Sequence, residues 1–267
     1  LLQALKTMSL ESLGKIVVLH IPKTAGSSLT SVIFNNEPAY ALYPRHLVYP
    51  QQRPLINRSA DYLNSFMMFS GHYYLDDIER WIPGRKALIT FLRDPRRRLL
   101  SHYYFLRHLG RTEPDSGNLL ARKAADHDLL GFLRDDDPEL VAGVTDNLMA
   151  RHLTGPACWD DAGLFRAEAP EIARIVTERL RGFFMVGFQE RMDQDLDRLY
   201  ARLGRPRPSH TPEIHARHRL GATGEGDRTD RLSPEIEAEI ERRTRIDRMI
   251  YDFARTAFSG TAADHAP

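Results

Sequence analysis

The chain has 267 residues, 42% of them apolar and 27% charged; these are ordinary values for a folded globular protein, and they exclude a mainly disordered, collagen-like or coiled-coil chain. Lys and Arg number 37 against 36 Asp and Glu, so a globally basic nucleic-acid binder is not expected, while a local basic site fits the balance. The single cysteine, Cys158, leaves no internal disulfide, argues against the disulfide-rich secreted class and fits a cytoplasmic, reducing compartment.

Leu1 to Leu13 carries scattered polar residues, no continuous apolar core and no small-residue cleavage site. It is not read as a signal peptide; the first methionine is Met8, so the true start need not be Leu1. No apolar run approaches the roughly 20 residues of a membrane span.

In chain order, the first strand signal is Ile16 to Ile21. It leads into His20-Ile-Pro-Lys-Thr-Ala-Gly-Ser-Ser28, followed by a helical pattern at Leu29, Val32 and Ile33. A strand–turn–helix of this composition is an anion site: Gly26 permits close approach, the amides of Ala25 to Ser28 open a helix, and Lys23 adds charge. The order is not Gly-x-x-x-x-Gly-Lys-Ser/Thr, because the lysine precedes the glycine. The second strand, Phe66 to Phe69, runs into Ser70-Gly71-His72. Tyr40, Tyr43, Arg45, Tyr73 and Tyr74 are as compatible with an acceptor cleft as with core or surface.

The third strand, Ala87 to Leu92, runs into Arg93-Asp94-Pro95 and a helix carrying Leu99, Leu100, Tyr103, Tyr104 and Leu106. From Arg85 to Arg111 there are eight basic residues and one acid, Asp94. Ser101 falls two turns beyond Arg93, so both can reach one phosphate, for which arginine has the matching geometry. Some of Arg96, Arg97 and Arg98 read as a solvated helix face. Asp126 to Glu139, with six carboxylates against Arg134, reads as surface between helices. A helix is expected through Ile172, Ile175, Val176 and Leu180. The fourth strand, Phe183 to Val186, runs into Gly187-Phe-Gln-Glu190, and a helix through Leu196, Leu199, Tyr200 and Leu203 follows. Residues 205–232 form a long Pro-, Gly-, His- and Arg-rich loop. Ser233-Pro234-Glu235 starts a last helix with Ile236, Ile240, Met249, Ile250, Phe253 and Ala257 as its buried face, and residues 259–267 form a frayed tail.

Short continuous apolar strands alternating with helices predict an α/β fold around a parallel sheet. In such sheets ligands bind beyond the carboxyl ends of the strands, where all four polar exits fall. Among eleven histidines, His72 sits at a strand exit and can act as a general base at neutral pH; His20, His102 and His152 are its rivals there. No His, Cys, Asp and Glu spacing suggests a metal. Arg151 and His152 are expected to face an acceptor.

The two main motifs resemble those of carbohydrate sulfotransferases, the family that includes heparan sulfate 2-O- and 6-O-sulfotransferases. The resemblance implies a three-layer P-loop-like fold with a central parallel sheet flanked by helices. It also implies a single domain over residues 1–267: a nucleotide-binding core over 1–110, a variable surface segment over 111–146, and the remainder of the core over 147–258. It assigns Pro22, Lys23, Thr24, Ala25, Gly26, Ser27 and Ser28 to the 5′-phosphosulfate of 3′-phosphoadenosine 5′-phosphosulfate (PAPS). Arg93 and Ser101 fall to the 3′-phosphate, and the match runs from Arg93 to Tyr104. Weaker likeness covers Asn147 to Gly155, Val186 to Glu190 and Leu232 to Glu235. The 2-O branch has a catalytic histidine after a glycine, matched by Gly71-His72, while Lys23 would stabilise charge in the reaction. Arg219, in Arg-Leu-Gly-Ala-Thr-Gly224, resembles a loop that closes over the nucleotide in cytosolic sulfotransferases. Ala25 replaces a glycine or serine common in relatives, which its amide role should tolerate. The partner the resemblance implies is a hydroxylated acceptor, a carbohydrate in this family, without metal or nucleic acid. A small-molecule kinase and a binding module that has lost catalysis are the alternatives.

Overall fold

The computed structural model describes residues 13–34, 41–43, 55–56, 58–160, 163–208 and 232–259. Strands β1 (Lys15–Leu19), β2 (Met68–Gly71), β3 (Lys86–Leu92) and β4 (Met185–Phe188) form one parallel sheet in the order β2-β1-β3-β4. Nearly every strand side chain is buried, which is why the apolar runs are continuous rather than alternating. Two strands begin later than their apolar runs. The Phe66 amide donates to the Leu63 carbonyl and that of Phe183 to the Leu180 carbonyl, so both phenylalanines close helices before the chain extends.

The main helices are α1 (Gly26–Phe34), α2 (Ala60–Asn64), α3 (Leu75–Trp81), α4 (Pro95–Thr112), α5 (Leu119–Asp126), α6 (Leu129–Arg134), α7 (Leu148–Thr154), α8 (Ala169–Arg181), α9 (Met192–Leu203) and α10 (Pro234–Ala257), with a short turn of helix at Pro138–Leu140 between α6 and α7. Alternate strand residues point to opposite faces. Ile16, Val18, Ile89 and Met185 pack with Leu29 and Val32 of α1 and Leu196 and Leu199 of α9. Val17, Leu19, Phe69 and Val186 pack with α3, α7, α8 and α10 on the other face. The fold is therefore three-layer α/β. No described helix is long and apolar enough to cross a membrane.

A third apolar cluster joins α4, α5, α6 and the start of α10. It corrects the surface reading of 126–139, because Leu129, Phe132 and Leu133 of α6 are buried there. The carboxylates are largely accounted for locally. Asp128 accepts the Gly131 amide as the α6 cap, Asp137 accepts the amides of Glu139 and Leu140, and Asp135 pairs with Lys123. A charge run that caps short helices looks like plain surface in the sequence.

Ser233 caps α10 by accepting the Ile236 amide, as its sequence predicts. The buried face differs from expectation: Met249 is exposed, while Ile246, Asp247, Tyr251 and Ala254 are buried beside Ile240 and Ile250. A kink at Thr244 (φ −121°, ψ 15°) lies within the helix. Asn147 causes it by entering the backbone ladder: its amide donates to the Arg243 carbonyl, and its Oδ1 accepts the Ile246 and Asp247 amides. In return the Asp247 carboxylate accepts the Met149 and Ala150 amides at the start of α7. Each helix end is thus satisfied by the other, which fixes α7 against α10.

Candidate functional site

In the order β2-β1-β3-β4, the chain leaves β1 for one side of the sheet and later returns on the other through β3. The crevice beyond β1 and β3 is a topological switch point, where open α/β sheets bind ligands. His20 follows β1, His72 follows Gly71 at the end of β2, and Arg93 follows β3, so three predicted exits are neighbours.

The turn between β1 and α1 is built by local chemistry. Thr24 Oγ1 donates to the Ile21 carbonyl at 2.9 Å, so this buried hydroxyl shapes the loop. Lys23 and Ala25 both adopt positive φ, 68° and 73°, at about 1 kcal/mol or more each for a residue with a Cβ. A glycine at position 25 would be free of that strain, so the alanine bears on backbone conformation as well as on its amide. Gly26 is required by contact: a Cβ there would lie 1.9 Å from the His20 ring. Pro22 is buried, and α1 opens with the amides of Gly26, Ser27 and Ser28 in its first turn, where helix amides lack intrahelical partners. The Ser27 and Ser28 side chains, like Arg219, Tyr40 and Arg45, lie outside the described residues.

Arg93 reaches across this turn, its Nη1 donating to the Lys23 carbonyl at 3.1 Å. The Arg93 Nε is buried and has no hydrogen-bond partner among the described residues. Burial lowers the Arg93 pKa, an effect opposed by Glu190; the Glu190 carboxylate also accepts the Asp94 amide. The Lys23 ammonium lies 4.3 Å from the centroid of the Phe105 ring. Burial, and then the neighbouring Arg93 charge, push its pKa down to about 8. Two partly desolvated cations close together repel each other, and a polyanionic ligand that reaches both relieves both costs. Ser101 is half-buried on α4. The residues here therefore fit a phosphorylated ligand, with Arg93 Nε a donor that no described residue uses.

Behind Arg93 the helix face divides. Arg97 is exposed, Arg96 pairs with Glu237, and Arg98 is fully buried, donating from Nη2 to the Val144 carbonyl. Burial, opposed by the Asp247 charge, brings the Arg98 pKa down to about 10.

Histidines gather at the same end of the sheet. The His20 and His72 rings meet edge to face at 4.6 Å, and the His72 and His152 centroids are 6.5 Å apart. His72 is half-buried, whereas His20, His102 and His152 are buried. Burial, followed by the charges of Arg98, Lys23, His72 and His152, holds the His102 pKa well below the imidazole range. Of the four rings, His72 is thus the most accessible to a ligand. Among the described residues no group of three His, Cys, Asp or Glu side chains could hold a metal ion.

Arg151 does not face an acceptor. It is fully buried, with its guanidinium carbon 4.9 Å and 5.0 Å from the Trp159 and Phe165 ring centroids. It pairs with Asp146 and donates to the Gly163 carbonyl, tying down the chain after α7. Tyr43, Tyr73 and Tyr74 are likewise core residues. The Asn147–Asp247 pair and Arg98 were missed as parts of the site's framework; a polar residue serving a distant helix end has no local sequence signal.

The sequence profile of the sulfotransferase family matches residues 10–255. A heparan sulfate 2-O-sulfotransferase of Caenorhabditis elegans is 31% identical over 112 residues, covering 36% of this chain and 33% of the relative. The match thus spans about a third of that relative's length.

Proposed function

The chain belongs to the sulfotransferase family, and on that footing we propose that it transfers a sulfuryl group from PAPS to a hydroxyl on a carbohydrate. The observation that carries this reading is the Arg93–Lys23 contact at the switch point, two desolvated cations on adjoining strand exits. The similarity to a heparan sulfate 2-O-sulfotransferase favours a carbohydrate acceptor.

In this reading the donor substrate brings an electrophilic sulfur and a phosphate leaving group. The loop Pro22 to Ser28 holds the 5′-phosphosulfate through amides at the start of α1 and the Lys23 ammonium. Arg93 and Ser101 hold the 3′-phosphate and so select this nucleotide over ordinary adenylates. An acceptor hydroxyl forms a bond to sulfur, and the bond from sulfur to the bridging oxygen breaks with its electron pair left on the nucleotide phosphate. The hydroxyl proton passes to His72, and Lys23 offsets the charge that grows on the bridging oxygen.

The test is transfer of label from 35S-labelled PAPS to fully desulfated heparan sulfate and to a panel of other hydroxylated acceptors. His72→Ala should abolish turnover and leave the affinity for 3′,5′-adenosine diphosphate within about threefold, since a general base contributes to chemistry rather than to nucleotide binding. Turnover that survives the substitution overturns the assignment of the base.

A further inference from the structure

Thr30 of α1 and Ser70 of β2 form a buried polar pair in an apolar layer. Met68 and Ser70 share one face of β2. Met68 packs there with Ile16, Val18, Leu29 and Val32, and Ser70 stands beside Val18 in the ladder. The Thr30 and Ser70 hydroxyl oxygens lie 2.7 Å apart. Thr30 Oγ1 also lies 2.7 Å from the Gly26 carbonyl oxygen. A carbonyl only accepts, so the single Thr30 hydroxyl hydrogen goes to Gly26, and Ser70 donates to Thr30. The hydrogens therefore run one way, from the end of β2 through Thr30 to the first residue of α1.

Both ends of this chain of bonds belong to the site. Gly26 opens the helical turn whose amides lack intrahelical partners, and it lies against the His20 ring. Ser70 directly precedes Gly71-His72. The Gly71 carbonyl accepts the His20 amide at 3.0 Å, and the His20 and His72 rings meet at 4.6 Å. Elsewhere α1 rests on the sheet through Leu29, Val32 and Ile33, and apolar contact is non-directional. A hydrogen bond fixes distance and angle. An apolar pair of the same shape would be close to neutral for stability, so these hydroxyls contribute placement more than stability.

We infer that Ser70 and Thr30 are a positioning pair: their hydrogen bond sets the distance between the loop at the start of α1 and the His72 segment after β2. In the proposed reaction this is the distance between the sulfuryl donor and the base that takes the acceptor proton. Both hydroxyls act through the backbone they hold. The consequence for turnover rests on the sulfotransfer reading; the link between helix and strand does not.

The test is Ser70→Ala in the full chain. It breaks the link and leaves no donor unpaired, because the Thr30 hydrogen stays on Gly26. Its urea midpoint should stay close to that of the wild type. The His20 amide, held by the Gly71 carbonyl, should exchange its hydrogen at least about tenfold faster through local opening, while the Phe188 amide, held by Asp195, should not change. Transfer from labelled PAPS should show kcat lowered about tenfold, with the Kd for 3′,5′-adenosine diphosphate within about threefold, the split expected of a donor bound but misplaced. Thr30→Val combined with Ser70→Ala removes both hydroxyls and should match Ser70→Ala. Thr30→Ser keeps the hydroxyl and should keep slow His20 exchange and most of kcat. A Ser70→Ala protein that does not fold makes the pair a stability element and overturns the inference. Unchanged His20 exchange, unchanged kcat, or a loss of kcat matched by an equal loss of nucleotide affinity also overturns it. If the wild type transfers label to no acceptor while His20 exchange responds as stated, the sulfotransfer reading fails and the link between α1 and β2 stands.

Discussion

Raising the pH from 7 to 9 removes most of the charge of Lys23 in the unliganded protein, because burial beside Arg93 brings its pKa to about 8. A bound phosphate stabilises the ammonium and returns its pKa toward the ordinary value of about 10.4. The bound state therefore holds the proton that the free state loses, so affinity is highest below pH 8 and falls above it. With these values Lys23 in the free protein is about 90% protonated at pH 7 and about 10% at pH 9, so the Kd for 3′,5′-adenosine diphosphate should rise about tenfold, or ~1.4 kcal/mol. Isothermal titration at pH 7, 8 and 9 reads this directly. At pH 8, buffers of different ionisation enthalpy should also show uptake of about half a proton per nucleotide bound. Lys23→Arg, charged throughout the range, should flatten the profile. A wild-type Kd that is constant from pH 7 to 9, or a pH dependence that survives in Lys23→Arg, refutes the reasoning.

Two further predictions concern the framework. Gly26→Ala places a Cβ 1.9 Å from the His20 ring and should cost about 1–3 kcal/mol in urea unfolding, as overpacking does; adding His20→Ala should recover most of the loss, and a Gly26→Ala variant as stable as wild type contradicts the packing argument. Asn147→Ala leaves the buried amides of Ile246 and Asp247 without the acceptor they now share, and should cost about 2–6 kcal/mol at about 1–3 kcal/mol per unsatisfied group. Asn147→Asp, which keeps an acceptor oxygen, should lose less, and a loss below about 1 kcal/mol for the alanine variant would place the cause of the kink elsewhere.

The parallel sheet was readable because each strand is a continuous apolar run, but bounds shifted by two residues: β2 and β4 start late because Phe66 and Phe183 close helices, both run two residues beyond their apolar runs to Gly71 and Phe188, and β1 stops at Leu19 rather than Ile21. The β1–α1 turn and the Arg93 helix were readable because glycine, lysine, Asp94 and Pro95 act on their immediate neighbours. What escaped depends on partners far along the chain. Asn147 bends α10 about a hundred residues away, and that bend shifts the buried face from Met249 to Ile246 and Tyr251. Arg98 sits in a basic stretch that reads as solvated, yet packing buries it entirely, and Arg151 sits in a motif that reads as a binding face, yet it is clamped between Trp159 and Phe165. A long cationic side chain carries no local mark of whether its head will meet water, an aromatic ring or a carbonyl.

The central claim is that Arg93 and Lys23 hold opposite ends of one doubly phosphorylated nucleotide. Titration of 3′,5′-adenosine diphosphate against adenosine 5′-monophosphate, on the wild type and on Arg93→Met, tests it most directly. The wild type should prefer the diphosphate by at least about tenfold, the order expected when a charge-assisted contact is worth about 1.5–3 kcal/mol, and Arg93→Met should lose that preference while still binding the monophosphate. Equal weakening of both nucleotides in Arg93→Met, or no preference in the wild type, would contradict it.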